Sequence, residues 1–166
     1  HFYSMRKHIW LYIVQEIVWI LIALLVAAFA VFPLVMKLNY VFLVENVCFA
    51  FYAVTLVRLV VFFKSVPWLK PTWVRFLLFV ININLFIFIV RKEQNFISIY
   101  DSFTIEDLGI PKKTLSLTEM ETLYSYFYTE INLVVVSCLI LILAFCARLV
   151  LSYWSLAKTR LYVDEK

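Results

Sequence analysis

Glycine occurs once in this chain of 166 residues and histidine twice, and only 16% of the residues are charged. A single glycine, Gly109, excludes every glycine-rich phosphate-binding loop. With only four prolines beside it, collagen-like and low-complexity chains are excluded as well. Both histidines, His1 and His8, stand in the first ten residues, so there is no H-E-x-x-H pair on a later helix. No C-x-x-C, P-loop or G-x-S-x-G elbow occurs either. Histidine is the usual base near neutral pH, and its absence from the rest of the chain leaves carboxylates as the only proton carriers. The expectation is a non-enzymatic protein with no cofactor and no metal.

What the chain has instead is apolar surface. Hydrophobic residues make up 65% of it, aromatic residues 19%, and its mean hydropathy is +0.95. Soluble domains are about 45–50% apolar and about 25% charged, and disordered chains are less apolar still. A polytopic membrane protein remains, with little left over for water-soluble parts.

A helical span needs about 20 mostly apolar residues to cross a core of about 30 Å. Four stretches qualify, at about 9–36, 38–63, 72–90 and 131–153. They are too long for strands and lack period-2 alternation, which predicts an all-α fold with four transmembrane helices in one domain. The first stretch is too long for the apolar part of a signal peptide, and no small-residue cleavage site follows it. A chain opening at His1 rather than Met suggests that a few leading residues are missing or trimmed.

Lys and Arg in the connections predict orientation. The side with both termini and the Pro67 turn holds Arg6, Lys7, Lys64, Lys70, Arg75, Lys158, Arg160 and Lys166. The other side holds Lys37, Arg91, Lys92, Lys112 and Lys113. Eight against five places both termini in the cytoplasm, although Arg91 and Lys92 argue the other way. The lack of an N-x-S/T sequon fits a bacterial inner membrane. The outer loop, 91–130, carries seven acids against four bases, a net of −3. The basic residues border the spans rather than cluster on one face, so nucleic acid is not the expected partner. Membrane lipids are, with anionic headgroups or an acidic protein suited to the basic rim.

The outer loop reads as partly helical. Phe96, Ile99 or Tyr100, and Phe103 fall at the spacing of an amphipathic turn. Thr104 precedes a short helix that Gly109 and Pro111 stop. Ser116 to Glu121 then contains two overlapping S/T-x-x-E capping boxes, starting a helix that leads through Tyr124, Tyr126, Phe127 and Tyr128 into the fourth span. The acids Asp101, Glu106 and Asp107 are the loop residues able to carry a lipid-modifying reaction, a third-ranked reading.

Polar residues inside spans are costly and face a bundle interior, a partner or water. Glu16 and Arg58 fall at similar depth, about 9–10 Å along their helices from the cytoplasmic end, and form a candidate pair that leaves Arg148 over. Both arginines could instead snorkel to the interface. Glu45 and Asn84 lie about 10 Å from the outer end, with Asn82 deeper. Glu45 is expected to carry a proton, to pair with Lys37, or to bond an asparagine. Either Glu45, Asn82 and Asn84 line a path for ions or protons, or they tie helices together. Cys48, Cys138 and Cys146 lie within spans and read as small hydrophobes. Small residues in helices 1, 2 and 4 predict close packing there and a peripheral helix 3.

The preferred reading is an anchor, scaffold or sensor subunit of a homo- or hetero-oligomeric membrane complex. In the sensor form, the outer loop detects an event and the last helix relays it to a cytoplasmic protein partner. An oligomeric ion or proton channel using Glu45, Asn82 and Asn84 is the second reading.

Overall fold

The computed structural model describes the backbone of residues 2–100 and 105–164, and the side chains of 10–94 and 107–155. In chain order the elements are α1 (Phe2–Lys37), β1 (Leu38–Tyr40), α2 (Leu43–Val61), α3 (Thr72–Tyr100), α4 (Ile105–Leu108), β2 (Gly109–Pro111) and α5 (Leu117–Asp164). Two single 3-10 turns, Phe63–Ser65 and Pro67–Leu69, join α2 to α3. Among the described residues, α1, α2, α3 and α5 are long and apolar enough to cross a membrane. The shortest, α2, has 19 residues and so rises about 29 Å, close to the thickness of the hydrocarbon core.

Element boundaries differ from those expected in two places. Helix α2 starts at Leu43 rather than Leu38, because Leu38–Tyr40 is extended and pairs antiparallel with Gly109–Pro111. Helix α3 continues ten residues past Val90, to Tyr100. Helix α5 starts at Leu117, as the capping boxes at Ser116 predict, and runs 48 residues without interruption through the span expected at 131–153. The short helix expected before Gly109 is α4. The side chains of Phe96, Ile99, Tyr100, Phe103 and Thr104 lie outside the described residues, as do those of Arg6, Lys7, Lys158, Arg160 and Lys166.

The chain divides into two compact units, His1–Thr55 with Phe103–Val134, and Leu56–Ser102 with Val135–Lys166. In the first, the core is built on Ala23, Ala27, Val31 and Leu34 of α1, Ala50 of α2, and Leu123, Phe127 and Val134 of α5. Spacings of three, four and seven residues put each set on one helix face. The other face of α1 stays uncovered, with Leu21, Leu25, Phe29 and Phe32 all more than half exposed, as a lipid-facing surface would be. In the second unit, Leu56, Leu59, Val66, Leu69 and Ile89 are buried with Val135, Cys138, Ile142, Phe145 and Leu149 of α5. The small residues behave unequally: Ala23, Ala27 and Ala50 are buried, whereas Ala28 and Ala147 are exposed.

Candidate functional site

The first unit carries a small folded cap at the junction of α1, α2 and α5. Its hinge is the ladder of Leu38 with Pro111, Asn39 with Ile110 and Tyr40 with Gly109. Backbone bonds extend the ladder at both ends, from Val41 N to Leu108 O at 2.9 Å and from Lys112 N to Lys37 O at 3.0 Å. The chain's one glycine sits where no other residue fits. Gly109 has φ +142°, and a Cβ there would lie 2.0 Å from the Asn39 carbonyl oxygen. Lys112 contributes twice, since its ammonium also donates to Val35 O, one of the last-turn carbonyls that α1 cannot satisfy itself.

The start of α5 is held by a reciprocal capping box. Ser116 N donates to Glu119 Oε2 at 3.1 Å, and Glu119 N donates to Ser116 Oγ at 3.3 Å. The other oxygen of the same carboxylate, Oε1, takes Lys37 Nζ at 3.1 Å. One glutamate thus caps α5 and ties it to the last residue of α1.

Between these helices lies an open cavity of about 530 Å³, lined by Phe32, Pro33, Met36, Lys37, Thr118, Glu119, Thr122, Leu123 and Tyr126, with Phe32 and Met36 themselves more than half exposed. Its wall has an apolar stretch at Phe32, Pro33, Met36 and Leu123 and a polar part formed by the two threonines and the Lys37–Glu119 pair. Pro33 has no N–H and loosens the turn before it. The Tyr126 hydroxyl donates to Ala30 O in that turn at 2.7 Å. Here α5 touches α1 through a polar contact one residue past Phe29 O, the carbonyl that Pro33 leaves without its helical donor.

Below the ladder, a polar group is enclosed by aromatic rings. Asn46, fully buried, donates from Nδ2 to Glu130 Oε2 at 2.6 Å and to the Tyr40 hydroxyl at 3.1 Å. The Tyr40 ring stands edge-on to Phe42 and Phe127, with centroids 6.4 and 6.1 Å away. Burial pushes the Tyr40 hydroxyl far above its ordinary range, opposed in part by the Asn46 bond, so the group stays neutral. Asn46 Oδ1 and Glu130 Oε1 are buried with no hydrogen-bond partner among the described residues. Burial of unsatisfied acceptors is costly, so this cluster positions α2 against α5 at the expense of stability.

The residues singled out from sequence are spread over the two units. Glu45 is exposed, one position from the buried Asn46, and Lys37 pairs with Glu119. Glu16 is half-buried on α1 in the first unit, and Arg58 is buried near the end of α2 in the second. Asn82 is buried and Asn84 exposed, and each amide donates to a carbonyl one turn back, Leu78 O and Val80 O, at 2.8 Å. Arg148, half-buried, donates to Val61 O at 3.3 Å. Asp107 is exposed on α4, whereas the side chains of Asp101 and Glu106 lie outside the described residues. Cys48 is exposed, Cys138 buried and Cys146 half-buried. Among the described residues, no three His, Cys, Asp or Glu side chains are grouped as a metal would need.

Sequence reasoning passed over Tyr40, Asn46 and Glu130. The signal was helical phase. Asn46 is in register with Ala50 and Ala53, and Glu130 with Leu123, Phe127 and Val134, so both belong to buried stripes. Glu45 carries the charge, but one residue turns a helix by about 100° and moves it off that stripe.

No family model matches the chain, and no curated protein or solved structure shows significant similarity to it.

Proposed function

We propose that this chain is a non-enzymatic membrane subunit of the sensor type, anchored in a homo- or hetero-oligomeric complex. Its cap takes up a ligand or partner group, and α5 carries the consequence across the bilayer to a cytoplasmic partner. One observation carries this reading: Thr118, Thr122, Leu123 and Tyr126 of α5 line the cavity, and the same helix continues unbroken to Asp164. At 48 residues it is about 72 Å long, more than twice the hydrocarbon thickness.

The guest suited to the cavity is amphipathic, with an apolar body against Phe32, Met36 and Leu123 and a polar end toward Thr118 and Thr122. In this reading both termini face the cytoplasm of a bacterial inner membrane and the cap faces outward, in line with the Lys and Arg distribution. Asn82 and Asn84 each donate to a carbonyl one turn back in α3, a bond that needs neither an ion nor a second helix.

The test is native mass spectrometry of the full chain extracted in lipid nanodiscs, with identification of whatever co-purifies. A stable complex with a second protein, released or altered by Thr122→Trp filling the cavity, supports the sensor subunit. A pure homo-oligomer whose ion flux changes with Glu45→Gln contradicts it and establishes the channel.

A further inference from the structure

The second unit contains a concentration of positive charge that the sensor reading does not use. No acid occurs between Leu56 and Lys92 or between Val135 and Val163, whereas Arg58, Lys64, Lys70, Arg75 and Arg148 all do. Two of these guanidiniums sit on one ring. Arg75 Cζ is 5.8 Å and Arg148 Cζ 5.9 Å from the centroid of Phe63, which is braced edge-on by the buried Phe145 at 6.3 Å. Cation–π contact holds each arginine in place but neutralises neither.

Their hydrogen bonds leave most donors over. Arg75 donates from Nε to Leu69 O at 2.6 Å and from Nη1 to Ser152 Oγ at 3.3 Å. Arg148 donates from Nη1 to Val61 O. Both main-chain acceptors are carbonyls at the ends of helical turns, and none is an anion. A guanidinium has five N–H groups, so several on each arginine have no acceptor among the described residues. Two like charges fixed beside one ring with unused donors are the arrangement that a doubly hydrogen-bonding oxyanion satisfies.

The surroundings identify which oxyanion. The spans of α2 and α3 end and begin here, at Val61 and Thr72, and the apolar run of α5 gives out near Tyr153. Lys64 and Lys70 are exposed on the connecting turn, and Pro67 and Pro71 stiffen it. Trp68, Trp73 and Trp154 are 41%, 70% and 75% exposed, as rings at headgroup level are. We propose that Arg75 and Arg148, flanking Phe63 within this tryptophan-bordered turn, form a binding site for the phosphate of an anionic phospholipid. Lys64 and Lys70 draw such lipids to the rim, while the arginines hold the phosphate.

The experiment is native mass spectrometry of the full chain released from nanodiscs of equimolar phosphatidylglycerol and phosphatidylcholine. The retained lipid should favour phosphatidylglycerol by about tenfold or more, with about fivefold lost for each of Arg75→Gln and Arg148→Gln. Lysine at the same positions keeps the charge but not the fork, and should retain an intermediate preference. If the glutamine variants do not fold, the wild-type ratio and the lysine variants decide the matter. Equal retention of the two lipids by the wild type overturns the proposal, as does a preference unchanged in Arg75→Gln/Arg148→Gln. Loss of bound lipid to millimolar inorganic phosphate also overturns it, since the site would then be one for free phosphate.

Discussion

Lys37 and Glu119, 82 positions apart in sequence, form an ion pair at 3.1 Å that joins the last turn of α1 to the first turn of α5. Both side chains are more than 40% exposed, so the pair registers the two helix ends against one another more than it stabilises them. Lys37→Met is expected to lower the melting temperature slightly, by an amount that disappears in high salt. Glu119→Ala should lower it further, in low and high salt alike, because the capping box is lost with the pair. Ser116→Ala removes only the hydroxyl half of the box and should cost about 1 kcal/mol. Thermal melts of the three variants in one detergent, at two salt concentrations, check the order.

Gly109→Ala is expected to open the cap while leaving the long helices intact. The added Cβ would overlap the Asn39 carbonyl, and the φ of +142° is one that L side chains rarely adopt. Together these should destabilise the ladder by more than about 3 kcal/mol. Amide exchange at Leu38 to Val41 should accelerate, with little change in helical circular dichroism. Unchanged protection there would contradict the ladder.

Asn46→Leu should be among the most damaging single changes in the first unit. It strips Glu130 Oε2 and the Tyr40 hydroxyl of their donor, at about 2–3 kcal/mol. The double variant Asn46→Leu/Glu130→Met should recover most of that loss, since it also removes the two acceptors that are buried without partners. Chemical or thermal unfolding of the two singles and the double closes the cycle.

Tyr126→Phe keeps the ring and removes only the hydroxyl that reaches Ala30 O. A loss of about 1 kcal/mol is expected in the presence of Pro33. With Pro33→Ala, residue 33 regains a helical bond to Phe29 O and not to Ala30 O, so the same change should cost about as much. A clearly smaller cost in the Pro33→Ala background would contradict this by coupling the tyrosine to the proline.

Much of this architecture could be read from hydropathy, because a run such as 9–36 has one stable form in lipid. The capping box at Ser116 and Glu119 and the short helix before Gly109 were readable for a local reason, since each depends on residues three or four apart. The β1–β2 ladder was not readable. Leu38 to Tyr40 continues an apolar run with no alternation, and its partner strand lies about seventy residues away. Gly109 reads locally as a helix stop, although close approach of the Asn39 backbone is what demands it. At the polar cluster the charges drew attention to Glu45, whereas burial followed the phase of Ala50 and fell on Asn46. The Arg75–Phe63–Arg148 arrangement joins three elements and has no signature in any one of them.

The central claim is that the cap and the membrane portion of α5 are one continuous helix. Amide exchange over residues 124–132, measured on the full chain in lipid nanodiscs, tests it most directly. The account predicts slow exchange through Tyr124, Phe127 and Asn132, continuous with the protection of the apolar span beyond. Rapid exchange across that stretch, with protection starting only past Asn132, would separate the cap from the span and contradict the relay.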